Sequence, residues 1–463
     1  MGGGAEGFKM CVSKKEVVTP VLPMQEQWLP LSNLDLLLPP VNVGLFFCYR
    51  NPNSALTGKK LTLANMVSSL KRALAQALVS YYAFAGELVL NSVGEPMLLC
   101  NEKGVDFTEA FADVELQELS LYNPDESIEG KLVPERKHGV LAVQVTQLKC
   151  GGLVVGCTFD HRIADAYSAN MFLVSWAEIS QFQPTLFQPS FRRSLLDPRR
   201  PILIDPSLND MYVPINTLSS AKEEDSDVDH LVSRIYYVTS EQINLMQSIA
   251  SSSGIKRTKL ESFSAFLWKM IAKHAMQSDA RNTRTRLGIV VDGRTRLGNG
   301  NEEKTKLMAT YFGNVISIPF GSMKVTELIE KPLNCVADEV HDILDVAMTK
   351  EHFLGLIDWV EAHKPTPALA KIYCVGFEDG PGFVVSSGLR FPVEKVDFRW
   401  GKPAFGSYHF PWRGNSGYVM PMPSPKGNGD WIVYMHLSRE QLEFIESEAP
   451  AVFRPLTSNY LDL

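Results

Sequence analysis

A strand that runs directly into a turn and a helix constrains the fold of this chain more than any other feature of its sequence. Residues 152–159 are almost all apolar, which is typical of a strand that is covered on both faces. Residues 171–179 carry apolar side chains at helical spacing. Between the two segments stands the run 161–165 (HRIAD), which predicts an α/β fold with His161 at a strand end and Asp165 one helical turn further on.

An imidazole held at the end of a rigid strand is well placed to act as a general base on a hydroxyl or an amine. The spacing of His161 and Asp165 is weak support by itself, because His341 and Asp345 repeat it inside an amphipathic helical pattern that no strand precedes. We interpret this second pair as part of a solvated helix face. For His161, a structural histidine within the core is the competing interpretation.

The charge and cysteine content limit the kinds of partner that the chain binds. Its 463 residues carry a formal net charge of -7 and no long basic block, which argues against nucleic-acid binding but leaves room for a small cationic patch. The 7 cysteines include no C-x-x-C pair, a pattern that favours reduced thiols in the cytoplasm. There is neither a signal-like apolar region nor an apolar stretch of span length, so we expect a cytoplasmic protein outside the membrane.

The length of the chain and one proline-rich stretch predict two large domains. Residues 1–185 form the first predicted domain and residues 231–463 the second. Between them, residues 186–230 are rich in proline and end in an acidic run at 222–229, a composition that buries little surface. We therefore predict a long crossover loop at 186–230 that joins two domains of similar size.

A basic cluster precedes one of the predicted helices of the second domain. Lys256, Arg257 and Lys259 stand just before a helical pattern at 260–274. A helix start favours anions through its free N–H groups and its dipole, so these side chains are candidates for binding nucleotide phosphates. Ordinary surface charge explains the same residues equally well. Another helix of this domain is predicted to begin with Ser240 as its N-cap.

Seven motifs along the chain resemble, in order and in separation, those of the BAHD acyltransferases, plant enzymes that transfer acyl groups from coenzyme A thioesters. The matching runs are 31–35 (LSNLD), 81–86 (YYAFAG), 161–165 (HRIAD), 291–294 (VDGR), 311–314 (YFGN), 397–401 (DFRWG) and 455–463 (PLTSNYLDL). Each motif alone is weak, whereas seven in sequence cover almost the whole chain and are specific.

The resemblance implies an α/β fold of the chloramphenicol acetyltransferase kind, with two domains that each hold a mixed sheet and flanking helices. A channel between the domains would admit acyl-coenzyme A, the cosubstrate, and a small-molecule acceptor. His161 would be the general base, while Asp165 would be structural and paired with Arg294. The family also implies a monomer that uses no metal and no redox cofactor.

The resemblance implies two further groups of site residues. Asp397 would support a turn, and Trp400 in the same turn would contact the oxyanion as a catalytic residue. Ser386 and Ser387 would lie beside the transferring acyl group and the acceptor. From its position before a helix start, we also hypothesise that at least one residue of the basic cluster, Lys256, Arg257 or Lys259, contacts the nucleotide end of coenzyme A.

Three positions depart from the family pattern. Ala166 stands where glycine often follows the motif aspartate, and Arg399 replaces the middle glycine of the DFGWG motif. If position 399 has φ > 0, an arginine there costs about 1–3 kcal/mol of stability. Gly388 replaces a tryptophan of the shikimate-type hydroxycinnamoyl transferases, which implies a reshaped acceptor pocket.

The sequence around 161–165 and 418–430 is most similar to the branch of the family that contains coniferyl alcohol acyltransferases. This similarity implies transfer of an acetyl group to the hydroxyl of a phenylpropenol. Hydroxycinnamoyl transfer to shikimate- or quinate-type acids and N-acylation of an amine stay open, as does a lyase or a non-catalytic binding member of the same fold. A serine hydrolase is disfavoured, because no G-x-S-x-G elbow stands at a strand–helix turn.

Overall fold

The computed structural model describes residues 7–52, 61–217, 231–251, 254–277, 283–374, 380–412, 414 and 416–463. In these residues the strands are, in chain order, β1 Met10–Val18, β2 Gln27–Pro30, β3 Asn42–Tyr49, β4 Glu87–Leu90, β5 Pro96–Cys100, β6 Val105–Ala112, β7 Leu141–Leu148, β8 Leu153–Asp160, β9 Tyr212–Pro214, β10 Leu231–Val238, β11 Arg284–Ile289, β12 Val291–Asp292, β13 Ile316–Ser317, β14 Phe320–Lys324, β15 Ala368–Ala370, β16 Gly382–Val385, β17 Phe405–His409, β18 Ser416–Pro423, β19 Trp431–Ser438 and β20 Arg454–Pro455. The α-helices are α1 Leu63–Ser80, α2 Pro124–Ser127, α3 Ala166–Ser180, α4 Leu208–Met211, α5 Ser240–Ala250, α6 Lys259–Gln277, α7 Arg294–Gly298, α8 Glu302–Ala309, α9 Val325–Glu330, α10 Leu333–Asp345, α11 Lys350–His363 and α12 Arg439–Glu448.

The first sheet is six-stranded and mixed, in the order β1-β6-β7-β8-β3-β17. The pair β6 and β7 is parallel, and the other neighbours are antiparallel. β8 lies inside the sheet between β7 and β3, and every one of its residues is buried. This interior position explains why its sequence is almost continuously apolar instead of alternating. His161 directly follows β8 and so stands at the end of an interior strand.

The second sheet is seven-stranded and also mixed, in the order β14-β11-β16-β18-β19-β10-β20. β11, β16 and β18 run parallel to one another, and the remaining pairs are antiparallel. The apolar stripe of α6, with Phe263, Leu267 and Ile271 at helical spacing, is buried in the core of this half. Two mixed sheets with flanking helices confirm the predicted α/β class.

The two halves of the chain are interlocked. β17 comes late in the sequence but pairs with β3 at the edge of the first sheet, with Phe405 opposite Cys48 and His409 opposite Gly44. One strand of the second predicted segment, 231–463, therefore belongs to the first sheet, through a long-range pairing that no local pattern encodes. As boundaries of folded units, 1–185 and 231–463 stay a prediction.

The predicted crossover loop, 186–230, contains regular structure. Its described part, which ends at residue 217, includes α4 and β9, and β9 pairs antiparallel with β15. Asp358 of α11 fastens the same stretch, because its carboxylate accepts from the backbone N–H groups of Arg199 at 2.8 Å and of Leu203 at 3.0 Å. Partners elsewhere in the chain thus satisfy the backbone of a proline-rich segment. The acidic run 222–229 lies outside the described residues.

The starts of several long helices follow capping chemistry. Asp165 is the N-cap of α3, and its side chain accepts from the backbone N–H of Ser168. Thr239 caps α5 by accepting from the N–H of Gln242, so the predicted cap, Ser240, is wrong by one position. Ser240 is instead the first helical residue, because threonine and serine cap almost equally well and Thr239 precedes it. In the part of the chain that the structure describes, no helix combines the length and the apolar character needed to cross a membrane.

Candidate active site

A cavity of about 460 Å³ lies where the two halves of the chain meet. Its wall includes Val41, Phe159 and His161 from the first half and Ser386 and Tyr418 from the second. Most of the other lining side chains are apolar or aromatic. A largely apolar cavity with a few convergent polar groups is the usual form of a small-molecule site.

The backbone of His161 is held from both sides. Its N–H donates to the carbonyl oxygen of Val41 at 3.0 Å, and its carbonyl oxygen accepts from Nδ2 of Asn314 at 2.9 Å. Asn314 is fixed in turn by Oδ1 of Asp35, which accepts from the Asn314 backbone N–H at 2.8 Å and from its Nδ2 at 2.9 Å. Asn314 and Asp35 are therefore positioning residues, which sequence reasoning missed. Their only signal was that both stand in the recurrent motifs at 31–35 and 311–314.

The imidazole ring of His161 sits in an apolar environment. Its Nδ1 is buried and has no hydrogen-bond partner among the described residues, which leaves Nε2 as the ring nitrogen open to the cavity. Phe410 packs edge-to-face against the ring, with centroids 6.4 Å apart. Burial lowers the pKa of His161 below its ordinary value, and the carboxylates of Asp165 and Asp160 oppose this shift without reversing it. The imidazole is therefore neutral at pH 7, the form that accepts a proton.

The carboxylate of Asp165 is committed to structural contacts. Its two oxygens accept from the guanidinium of Arg294 in a bidentate pair, at 2.7 and 3.1 Å. Further bonds come from the backbone N–H groups of Ser168 at 2.9 Å and of Val315 at 3.1 Å. Both side chains of the ion pair are only 3% exposed. With these donors in place, Asp165 ties the start of α3 to the second half of the chain and stands behind His161 as a structural residue.

The structure contradicts the oxyanion role predicted for Trp400. Its indole packs edge-to-face against Tyr49, with centroids 5.8 Å apart, and it does not line the His161 cavity. Tyr49 is the last residue of β3, whereas Asn42, at the other end of β3, pairs with Asp160 next to His161. Seven residue steps along a strand put these two ends roughly 23 Å apart. Trp400 is a buried residue that packs beside the first sheet, far from the cavity. The prediction failed because a sequence motif gives no information on the distance of its residues from the site.

Asp397 shapes a turn at the far end of α3. Its Oδ1 accepts from the backbone N–H groups of Arg399 at 2.8 Å and of Gly401 at 3.1 Å. Its carbonyl oxygen accepts from Nε2 of Gln181 at 2.7 Å, directly after α3. The 15 residues of α3 place this turn about 22 Å from Asp165. Any support that Asp397 gives to the site is therefore indirect, through the seating of α3.

Arg399 adopts φ 73°, the left-handed conformation that glycine adopts most easily. Its guanidinium lies 4.7 Å from the ring centroid of Phe182. We expect Arg399→Gly to be more stable than Arg399→Ala by about 1 kcal/mol, because both variants lose the contact with Phe182 and only glycine relieves the backbone. Chemical denaturation midpoints of the two variants measure the difference. An alanine variant as stable as the glycine variant would show that the turn is not strained.

Ser386 and Ser387 line the same cavity as His161. They continue β16 alongside β18, and the backbone N–H of Ser386 donates to the carbonyl oxygen of Val419 at 2.9 Å. Burial raises the pKa of Tyr418 to about 12, although a hydrogen bond with Ser386 opposes the shift. The phenol therefore stays protonated at neutral pH. The cavity thus holds hydroxyl groups from the second half within the same space as the imidazole.

The basic cluster before α6 is only partly free. The guanidinium of Arg257 is buried and donates to Oδ1 of Asp338 at 2.6 and 2.9 Å, which contradicts its predicted contact with coenzyme A. The start of α6 already holds a carboxylate, because Glu261 accepts from the backbone N–H of Thr258, directly before the helix, at 2.6 Å. Lys256 is exposed and Lys259 partly exposed, and within the described residues neither has an ion-pair partner. The predicted role is therefore left with the two lysines.

A second cavity, of about 660 Å³, adjoins the first and was not predicted. Four side chains line both cavities and mark their junction: Tyr167, Asn170, Leu389 and Arg390. From this junction the second cavity extends to Trp431, whose ring contacts that of Phe263 in α6, with centroids 5.6 Å apart. It therefore connects the His161 cavity with the side of the molecule on which α6 begins.

Two mixed sheets that meet over a cavity with a neutral histidine define the class of two-domain acyltransferases. The model of the transferase family matches residues 8–452, and the chain belongs to this family, the BAHD acyltransferases. Its members use coenzyme A thioesters, so the chain is a coenzyme A-dependent acyltransferase. The resemblance inferred from the seven motifs is confirmed.

Similar proteins align with the chain over nearly their whole length. Shikimate O-hydroxycinnamoyltransferase of Nicotiana tabacum is 26% identical, over 95% of this chain and 99% of the relative. (Z)-3-hexen-1-ol acetyltransferase of Arabidopsis thaliana is 28% identical, over 96% of this chain and 95% of the relative. Among solved structures, vinorine synthase has a TM-score of 0.69 at 20% identity, covering 96% of this chain and 99% of its own. TRI101 of F. sporotrichioides, complexed with coenzyme A and T-2, has a TM-score of 0.71 at 14% identity, covering 92% of this chain and 98% of its own.

Proposed function

We propose that this enzyme transfers an acetyl group from acetyl-coenzyme A to the hydroxyl of a phenylpropenol such as coniferyl alcohol. The observation that carries the proposal is the aromatic wall of the His161 cavity. Phe410 packs edge-to-face with Tyr418 at 5.1 Å, and Tyr373 packs with Trp412 at 4.8 Å. Such a wall binds a planar phenyl ring through edge-to-face and stacked contacts. A polyol acid is the alternative acceptor, because Asn170, Thr295, Arg296 and Arg390 also line the cavity.

The proposed reaction needs one base. Nε2 of His161 takes the proton of the acceptor hydroxyl while the oxygen attacks the thioester carbon, which forms the C–O bond of a tetrahedral intermediate. Collapse of this intermediate breaks the C–S bond, and the imidazolium returns the proton to the departing thiolate. The products are an ester and free coenzyme A, and His161 is neutral again. Atoms and charges balance without a further reactant.

The second cavity is the proposed route of the donor. This cavity is large enough for the extended arm of coenzyme A. It meets the His161 cavity at Leu389 and Arg390 and leads toward α6. The start of α6 is already occupied by Glu261, so Lys256 and Lys259 are the proposed partners of the coenzyme A phosphates.

Replacing Lys256 and Lys259 together by alanine is expected to weaken donor binding by about 1–2 kcal/mol, or roughly 5–30-fold in donor KM at low salt. The acceptor KM should stay unchanged, because the nucleotide end of coenzyme A is far from the thioester. The effect should shrink at high salt, where exposed charges are screened. Lys402→Ala, another exposed lysine, is the control. An unchanged donor KM in the double variant at low ionic strength would remove these lysines from the donor site.

The pH dependence follows from the lowered pKa of His161. Only the neutral imidazole accepts a proton. As the pH is lowered from 7, kcat/KM should therefore stay level at first and fall only when the pH reaches the lowered pKa of His161, which lies below the ordinary 6.5. The same shift means that protonation favours the unfolded chain, so the stability should also decline below pH 6.5. A pH profile of kcat/KM gives the midpoint of the acid limb. A midpoint at or above 6.5 would contradict the assignment.

A small matrix of substrates tests the proposed function. Acetyl- and p-coumaroyl-coenzyme A are each combined with coniferyl alcohol, shikimate and tyramine, and both thiol release and the acylated product are quantified. We expect the highest kcat/KM for acetyl-coenzyme A with coniferyl alcohol. A higher value for p-coumaroyl-coenzyme A with shikimate would identify an acid-acceptor enzyme instead, and a preference for tyramine would identify an N-acyltransferase.

A further inference from the structure

Gly388 stands at the junction of the two cavities. It follows Ser386 and Ser387, which line the His161 cavity, and it precedes Leu389 and Arg390, which line both cavities. A donor that enters through the second cavity carries its acyl group past this point to reach the base. Side chains that pack over Gly388 therefore border the space of the acyl group.

Two methionines of β18 fill the space above Gly388. A Cβ built on this glycine would lie 2.7 Å from Cγ of Met422, 2.8 Å from Cγ of Met420 and 3.0 Å from Sδ of Met420. The backbone N–H of Gly388 donates to the carbonyl oxygen of Pro421 at 2.9 Å, which holds the two segments side by side. The methionines are two residues apart on one strand and so share a face. Only glycine allows them to pack this closely onto the backbone.

The two methionines differ in what they border. Met420 lines the His161 cavity, whereas Met422 is not one of the side chains that line either cavity described above. Both are buried, at 3% and 0% exposure. Met420 packs against the backbone of Gly388, so it cannot retreat without moving β18 or the segment that carries Gly388. It therefore acts as a wall of the cavity.

We propose that Met420, packed over Gly388, limits the acyl group of the donor to short chains such as acetyl. The inference rests on the proposed function for the direction from which the donor arrives. A longer acyl chain, extending beyond the thioester carbon that His161 serves, meets the side chain of Met420. A closed apolar pocket discriminates by about 10–200-fold per methylene in kcat/KM. The wild-type enzyme should therefore prefer acetyl- to hexanoyl-coenzyme A by at least about tenfold.

The test compares two matched variants. Met420→Ala opens the cavity wall, whereas Met422→Ala removes the same atoms from the neighbouring buried position that does not reach the cavity. With coniferyl alcohol as acceptor, we expect the kcat/KM ratio of hexanoyl- to acetyl-coenzyme A to rise at least about tenfold in Met420→Ala and to stay unchanged in Met422→Ala. Met420→Val is the milder replacement if the alanine variant does not fold, and it should shift the ratio in the same direction. A wild-type enzyme that uses both donors equally well, or equal shifts in the two alanine variants, would overturn the proposal.

The proposed function and this inference fail separately. An enzyme that does not acylate coniferyl alcohol disproves the proposed acceptor. In that event, the affinities of S-ethyl- and S-hexyl-coenzyme A, thioethers that need no acceptor, are compared between the wild type and the two alanine variants. A tenfold preference for the ethyl compound that disappears only in Met420→Ala still supports the acyl-length limit, and a preference that is absent or survives in Met420→Ala rejects it.

Discussion

Replacing His161 by alanine is expected to lower kcat by about 10²–10⁴-fold while the fold is retained. The reason is that the neutral ring supplies the base, whereas the backbone contacts of this residue with Val41 and Asn314 do not depend on its side chain. Thiol release measured under saturating donor and acceptor gives kcat, and a thermal denaturation midpoint close to that of the wild type shows that the fold is intact.

The chain contains its own control for this experiment. His341 and Asp345 repeat the motif spacing on α10, where Nδ1 of His341 lies 2.7 Å from the carboxylate of Glu261 and the side chain is 41% exposed. His341→Ala should keep the wild-type rate within about twofold, since His341 is not among the side chains that line the His161 cavity. A His161→Ala enzyme that retained more than half of the wild-type rate would contradict the assignment of the base.

Replacing Asp165 by alanine is expected to lower the free energy of unfolding by about 3–5 kcal/mol. The variant leaves the guanidinium of Arg294 buried without its counter-charge, and it also removes the N-cap of α3. The rate should fall together with the stability, because α3 and the turn that carries His161 lose their connection to the second half of the chain. Denaturant and thermal midpoints measured beside kcat give both quantities.

Asp345→Ala is the matched control for this prediction. Asp345 has the same spacing from a histidine, but its side chain is 66% exposed and its contact with His341 is 3.8 Å long. Its replacement should change neither stability nor rate measurably. If Asp165→Ala instead kept the wild-type stability and lost activity, Asp165 would have a direct chemical role that its contacts do not suggest.

Local elements of this fold were predictable because their sequence patterns match their surroundings. β8 lies inside a sheet, and its continuous apolar run follows from that position. α12 spans Arg439–Glu448 and begins with a capping box formed by Ser438 and Gln441, a pattern that local sequence carries. The condition considered for position 399 is met, because Arg399 adopts φ 73° where the family motif has glycine.

The parts of the site that escaped prediction depend on contacts between distant positions. Asp35 and Asn314 are 279 residues apart. Only the folded chain shows that Asp35 binds Asn314, which in turn donates to the backbone carbonyl oxygen of His161. Local sequence predicts Arg257 to be a free surface cation, because its partner Asp338 lies 81 residues away in the chain. Local periodicity specifies which face of an element is buried, but it does not specify what lies against that face.

The stoichiometry of the reaction in the wild type and in His161→Ala tests most directly whether this enzyme transfers an acyl group with His161 as the base. Both enzymes are mixed with acetyl-coenzyme A and coniferyl alcohol, and the ester and the free thiol are quantified in the same samples. We expect one ester per thiol released by the wild type, and a parallel fall of both products by at least about 100-fold in His161→Ala. Thiol release without ester, or ester formation that survives the loss of His161, would contradict this expectation.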